Sequence, residues 1–186
     1  MKREELLRAV ERELTNERYE HTLGVVETAI KLAERFGADV ERAEIAAILH
    51  DYSKCWSIET LRKWIIERDL DKQLLQHSAA LWHAFVGADA VRIRLGIEDE
   101  YILDAIRYHT SGRANMTVLE KVVYLADYIE PGRDFPGLQE VRELAEYNLN
   151  GAVLRSLNNT IMFLVRTDRK LFPLTIEARN DLIDQI

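Results

Sequence analysis

Apolar residues recur every three or four positions along nearly the whole chain, and this spacing predicts helices from end to end. Leu6, Leu7, Val10 and Leu14 mark a short amphipathic helix over 2–14, ending near Thr15-Asn16. Tyr19, Leu23, Val26, Ile30 and Ala33, spaced 4-3-4-3, predict a second over 17–36 with Gly37 as its stop. Asp39 caps a helix through Leu49 that breaks at His50-Asp51-Tyr52-Ser53-Lys54, and Ser57 caps another over 58–68. One or two helices fill 71–95 up to Gly96, and Asp99 to Tyr108 forms the next. Residues 117–130 are apolar almost all round, which predicts a central helix. Beyond the loop Pro131–Gly137, helices run over about 138–148 and 150–167, and Thr175–Asn180 opens a last one. The period-two alternation of a strand appears nowhere over five or more residues. The expected fold is all-α, a single domain over 1–186 without repeats or linkers.

Charge narrows the partners. A formal net charge of −7 argues against a general nucleic-acid surface, so any phosphate ligand must be held by local cations. The single Cys55 excludes an intrachain disulfide and fits a reducing compartment; nothing else marks it as a catalytic thiol. No uncharged apolar stretch reaches the roughly 18 residues that span a bilayer. Met1-Lys2-Arg3-Glu4-Glu5 leads straight into a helix rather than a secretory signal. These features predict a cytoplasmic protein with no membrane or nucleic-acid partner. The apolar positions of the first helix offer a surface for a homodimer.

The chemistry lies in a few polar residues on these apolar elements. His50-Asp51 ends the run Ile45–Leu49, and His21 stands on the helix before it, roughly 20° around the axis from Leu32. His83 leads Ala84–Ala88, His109 ends the Tyr101–Tyr108 segment, and Asp127 lies between Ala126 and Tyr128 in the central helix. Imidazole and carboxylate donors together suit a divalent ion such as Fe, Mn, Zn or Mg. A lone histidine at an apolar helix edge is more often a satisfied core residue, and His77, in the polar run Lys72–Ser78, is read that way. Asp127 must be paired or metal-bound if buried, or else share an exposed strip with Glu120. Basic and hydroxyl side chains fall near the same landmarks: Arg18, Lys54, Thr110, Arg133 and Arg169-Lys170, the groups that hold oligophosphate oxygens. No phosphate-binding glycine loop, GxGxxG, HExxH or GxSxG is present.

The order His21, His50-Asp51, Asp127 is the pattern of the HD superfamily of metal-dependent phosphohydrolases. The blocks HTLGVV (21–26), AAILHDYSK (46–54), WHAFVGA (82–88), YHTSG (108–112), YLADYIEPGRDFPG (124–137) and PLTIEARN (173–180) resemble its bacterial symmetrical bis(5′-nucleosyl)-tetraphosphatases. Ala84-Phe85 departs from the Gly-Pro pair often found there. The resemblance implies an HD-type helical bundle, with an HD core over about 18–130 and the helices of 138–186 completing the substrate pocket. It implies hydrolysis of diadenosine tetraphosphate into two nucleoside diphosphates. It also implies one or two divalent ions, iron first and Mn, Co, Mg or Zn as alternatives. His21, His50, Asp51 and Asp127 would hold the metal, and its hydroxide would attack an inner phosphorus. His83 and His109 would contact phosphate, as imidazolium, or hold a second ion with Asp51 as bridge. Arg18, His21, Asp51, Lys54, Thr110 and Arg133 would line the polyphosphate, and Lys170 to Thr175 would cover a base or ribose. A nucleoside mono- or triphosphate hydrolase, a di-iron oxygenase and a non-catalytic nucleotide sensor are the competing readings.

Overall fold

The structure is a computed structural model describing residues 2–185, in which the regular elements are all helical. In chain order they are α1 (Arg3–Glu11), α2 (Asn16–Phe36), α3 (Val40–Leu49) and α4 (Ile58–Glu67). Two 3-10 turns follow (Lys72–Gln76 and Ala79–Leu81), then α5 (Trp82–Leu95), α6 (Glu100–Tyr108) and α7 (Val118–Ile129). The chain finishes with α8 (Leu138–Leu144), α9 (Leu149–Arg166) and α10 (Pro173–Ile183). Side-chain oxygens of Thr15, Asp39, Ser57, Asp99, Thr117 and Asn148 accept from first-turn amides, satisfying donors that a helix start leaves unpaired. Gly37 and Gly96 close α2 and α5 at φ of +75° and +68°, a region other residues enter only with strain.

Competing caps explain where the bounds differ from the hydrophobic pattern. Helix α1 stops at Glu11 because Thr15 already starts α2, and Glu13 turns aside to accept from Trp56 Nε1 at 2.6 Å. Asp71 and Ser78 each cap their own turn, so the stretch before Trp82 forms two 3-10 turns instead of an α-helix. Helix α8 is short because Asn148 caps α9. Helix α10 begins at Pro173, ahead of Thr175, since a proline at the first helical position lacks an amide that would go unpaired anyway.

Helix α7 packs against α2, α3, α6 and α9, and its Val122, Val123, Leu125 and Ala126 are fully buried. Small side chains on α3 (Ala43, Ala46, Ala47) let it lie closely on α2 and α6. A second cluster (Leu61, Ile65, Leu74, Trp82, Phe85, Phe172) joins α4, the 3-10 turns and the start of α5, with Trp82 Nε1 donating to Leu74 O at 2.7 Å. That cluster braces His83, the residue after Trp82, from outside the main core. The first helix turns its apolar side inward: Leu6 and Val10 are buried in this chain's own core, leaving little of the partner surface expected there. Among the described residues no helix is long and apolar enough to cross a membrane.

Candidate metal centre

Two of the histidines occupy equivalent places in the chain. His50 is the C-cap of α3 and His109 the C-cap of α6. Each donates from Nδ1 to the carbonyl three residues back, Ala47 O and Ile106 O, both at 2.7 Å. A carbonyl oxygen only accepts, so Nδ1 carries the proton and Nε2 keeps its lone pair. His21, near the start of α2, is set the same way by donating from Nδ1 to Glu130 Oε1 at 3.0 Å. Three rings from three helices thus present Nε2 as a donor atom for a cation.

These atoms converge on two carboxylates. His21 Nε2 lies 3.0 Å from Asp127 Oδ1, and His50 Nε2 lies 3.6 Å from Asp51 Oδ2 and 4.0 Å from Asp127 Oδ1. Yet His21 Nε2 and His50 Nε2 are buried without an aligned hydrogen-bond partner. Leaving such atoms unmatched costs about 1–3 kcal/mol each. Adjacent ligands about 2.1 Å from one ion stand roughly 3.0–3.4 Å apart, so the spacing and the free lone pairs fit a divalent cation between them.

The other oxygen of Asp51 faces a second group. Asp51 Oδ1 is 3.0 Å from His83 Nε2, 3.7 Å from His109 Nε2 and 3.8 Å from Lys54 Nζ. His83 Nε2 and His109 Nε2 are 3.2 Å apart, and Lys54 Nζ is 3.3 Å from His83 Nε2. Arg18 Nη1 approaches Asp51 Oδ2 at 3.5 Å, Arg133 Nη2 donates to Asp127 Oδ1 at 2.7 Å, and Thr110 Oγ1 is 3.3 Å from His109 Nε2. The fold therefore gathers His21, His50, Asp51, His83, His109, Asp127, Arg18, Lys54, Thr110 and Arg133. It does not join Lys170 or Thr175 to them: Lys170 Nζ donates to Gln76 O at 3.0 Å, and Thr175 is buried in the first turn of α10. His77 stands apart with its ring on Phe172, and Cys55 is exposed. Glu120 is buried against Arg113, which removes the exposed strip that Asp127 could have shared.

Burial pushes His50 and His83 down to about 4, so both rings are neutral near pH 7. This corrects the expectation of an imidazolium at His83: removal from water outweighs the attraction of Asp51. For Asp51 burial alone would raise the carboxyl, but facing His50, His109 and His83 holds it well below the usual range. Asp127 is likewise held far down, burial being outweighed by His21, His50 and His109. His21 is raised: burial opposes its charge, but Asp127 and Glu130 more than offset it. Ionised carboxylates beside imidazole lone pairs form the donor set of a divalent metal.

Glu130 was not picked out in the sequence. It is buried, accepting from His21 Nδ1 with one oxygen and from Gly132 N at 2.6 Å with the other. Gly24 gives it room: a Cβ there would come within 2.7 Å of Glu130 Oε2. A carboxylate behind a ligating imidazole fixes its tautomer and orientation. The available signal was helical spacing, for Glu130 follows Asp127 by one turn and Gly24 follows His21 by one turn.

Comparison with known proteins agrees with this geometry. The model of the HD domain family matches residues 18–132. The chain is 54% identical to the symmetrical bis(5′-nucleosyl)-tetraphosphatase of Bacillus subtilis (strain 168), covering 98% of each chain. It is 48% identical to the protein of the same name from Halalkalibacterium halodurans, again covering 98% of each. In structure it resembles a predicted HD superfamily hydrolase involved in NAD metabolism from Clostridium acetobutylicum. That match has a TM-score of 0.95 and 38% identity, covering 100% of this chain and 99% of that one.

Proposed function

The chain belongs to the HD domain family, alongside its symmetrical bis(5′-nucleosyl)-tetraphosphatases, and on that premise we propose how its residues divide the reaction. It is a metal-dependent hydrolase of dinucleoside tetraphosphates, cleaving them symmetrically into two nucleoside diphosphates. His21, His50, Asp51 and Asp127 hold one divalent ion, which we assign as iron; Mn, Co, Mg and Zn suit the same donors less selectively. A divalent ion in such a site supplies Lewis-acid charge to phosphoryl oxygens and makes water acidic enough to react at neutral pH.

The surrounding residues bind and orient. Arg18, Lys54 and Arg133 lie against Asp51 and Asp127 at the rim, where charge-assisted hydrogen bonds would hold the tetraphosphate in line. His83, His109 and Thr110 face the phosphates: the Thr110 hydroxyl donates directly, while each imidazole would donate from Nε2 only once the phosphate charge draws a proton there. The ammonium of Lys54, 3.3 Å from His83 Nε2, supports that role over a second ion, because it already brings positive charge to that side of Asp51. Glu130 keeps the His21 proton on Nδ1 and so keeps Nε2 available. Lys170 and Thr175 belong to the segment that would cover the base or ribose of the nearer nucleoside. The departing nucleoside diphosphate is a good leaving group and needs no strong general acid. We further propose a cytoplasmic protein without a nucleic-acid partner, in keeping with its net charge of −7.

The observation that carries this reading is the pair of unpartnered, buried Nε2 atoms of His21 and His50 facing Asp127 and Asp51. The test joins elemental analysis of anaerobically purified protein to chromatography of the products from diadenosine tetraphosphate. One equivalent of iron and adenosine diphosphate alone are expected. Adenosine triphosphate with monophosphate, or no turnover with Fe, Mn or Co, would refute it.

A further inference from the structure

A concavity separate from the opening over the metal centre forms where the end of α7 and the loop after it meet α9. Its volume is about 510 Å³, within the roughly 300–1,000 Å³ of small-molecule sites, and its lining includes Tyr128, Phe135, Asn159, Phe163 and Arg166. Tyr128 and Phe135 stand edge to face, with centroids 5.1 Å apart, and make a rigid aromatic wall. Phe163 and Met162 on α9 are 54% and 43% exposed, an apolar surface on a chain otherwise rich in charge. Asn159 Nδ2 is buried without an aligned hydrogen-bond partner, its amide lying against the Tyr128 hydroxyl. A Cβ at Gly137 would sit 3.2 Å from that nitrogen, so glycine lets the loop pack this closely on the amide.

We propose that this groove is the subsite for the nucleobase of the far nucleoside, the half of the dinucleotide beyond the phosphates held at the metal centre. The proposal rests on the dinucleoside tetraphosphate reading and assigns that substrate's second end. Nearness along the chain to the metal centre favours this occupant. Tyr128 directly follows Asp127, and Arg133, whose guanidinium lies on Asp127, stands two residues before Phe135. One short stretch of chain therefore carries both the rim cation and the aromatic wall. The chemistry matches a flat heteroaromatic ring: aromatic faces stack on any base, while a side-chain amide offers the donor and acceptor pair that an adenine edge accepts. Arg166 adds positive charge at the border, suited to the phosphate end of the same nucleoside.

The experiment measures steady-state kinetics of holoenzyme on two substrates, diadenosine tetraphosphate and adenosine 5′-tetraphosphate, the latter lacking the second base. Phe163→Ala should raise KM for the dinucleotide roughly tenfold and leave the mononucleotide unchanged. Phe163→Trp, which keeps a stacking face, should restore the wild-type value. Asn159→Ala should raise KM on the dinucleotide alone. If wild-type enzyme does not hydrolyse the dinucleotide at all, the functional reading itself fails and takes the subsite with it. If wild type hydrolyses it and Phe163→Ala changes neither substrate, or both equally, only the subsite is overturned. Sedimentation covers the remaining occupant: a wild-type dimer that Phe163→Ala converts to monomer would make this face an interface between copies and overturn the proposal.

Discussion

Replacing Glu130 by Gln isolates the link between one buried carboxylate and the metal centre. Both partners of Glu130 are donors: His21 Nδ1–H at 3.0 Å and Gly132 N–H at 2.6 Å. A carboxylate accepts from both. A glutamine has one carbonyl oxygen, and its NH2 must face the other donor. If the NH2 faces His21, the imidazole has to move its proton to Nε2 and loses the lone pair aimed at the ion. If it faces Gly132, a buried amide goes unpaired, at about 1–3 kcal/mol. Glu130 is buried, so neither donor can turn to water instead. Either path weakens His21 as a ligand, and partners behind metal ligands typically contribute 10–100-fold, or about 1.4–2.7 kcal/mol. Calorimetric titration of metal-free protein with Mn²⁺, an air-stable probe, should show the dissociation constant rising by that factor. Urea denaturation of the same metal-free sample separates this from damage to the fold. A dissociation constant within twofold of wild type would show that Glu130 does not orient His21.

Other substitutions probe different parts of the centre. Asp51→Asn removes the charge of a carboxylate that faces both imidazole groups; bound metal by elemental analysis and turnover should both be lost, and retention of either contradicts the assignment. Arg133→Ala should raise KM for the dinucleotide about tenfold, while Mn²⁺ affinity holds or improves because Asp127 loses a competing cation; loss of metal would reverse that reading. The metal-free protein should become less stable as pH falls from 6.5 towards 4. The unfolded chain then protonates imidazoles that remain neutral in the fold at His50 and His83, whose folded pKa values are about 4. Each contributes up to about 3 kcal/mol over that window. His21 opposes this, since its raised pKa gives stability below 6.5 that is lost as pH rises through the folded value. Urea midpoints at pH 7.5 and 5 test the balance; a higher midpoint at pH 5 contradicts it.

The helical architecture was legible because capping residues and apolar periodicity agree: Asp39, Ser57, Asp99 and Thr117 each precede an apolar run and each proves to cap it. Where two signals compete within a few residues, as at Asp71 and Ser78, spacing alone did not decide between one helix and two short turns. The candidate ligands stood out because imidazoles and a carboxylate on apolar elements need a physical reason to be there. Glu130 did not, since a glutamate at a helix end before Pro131 looks like any solvated carboxylate until the fold buries it. The α7–α9 groove was out of reach for another reason: Tyr128 and Phe163 meet only through packing between distant helices, which no local pattern encodes.

His50 and His109 are steered by carbonyls of their own last helical turn, at 2.7 Å. Shortening or unwinding either turn would therefore swing a ring out of line without touching any ligand.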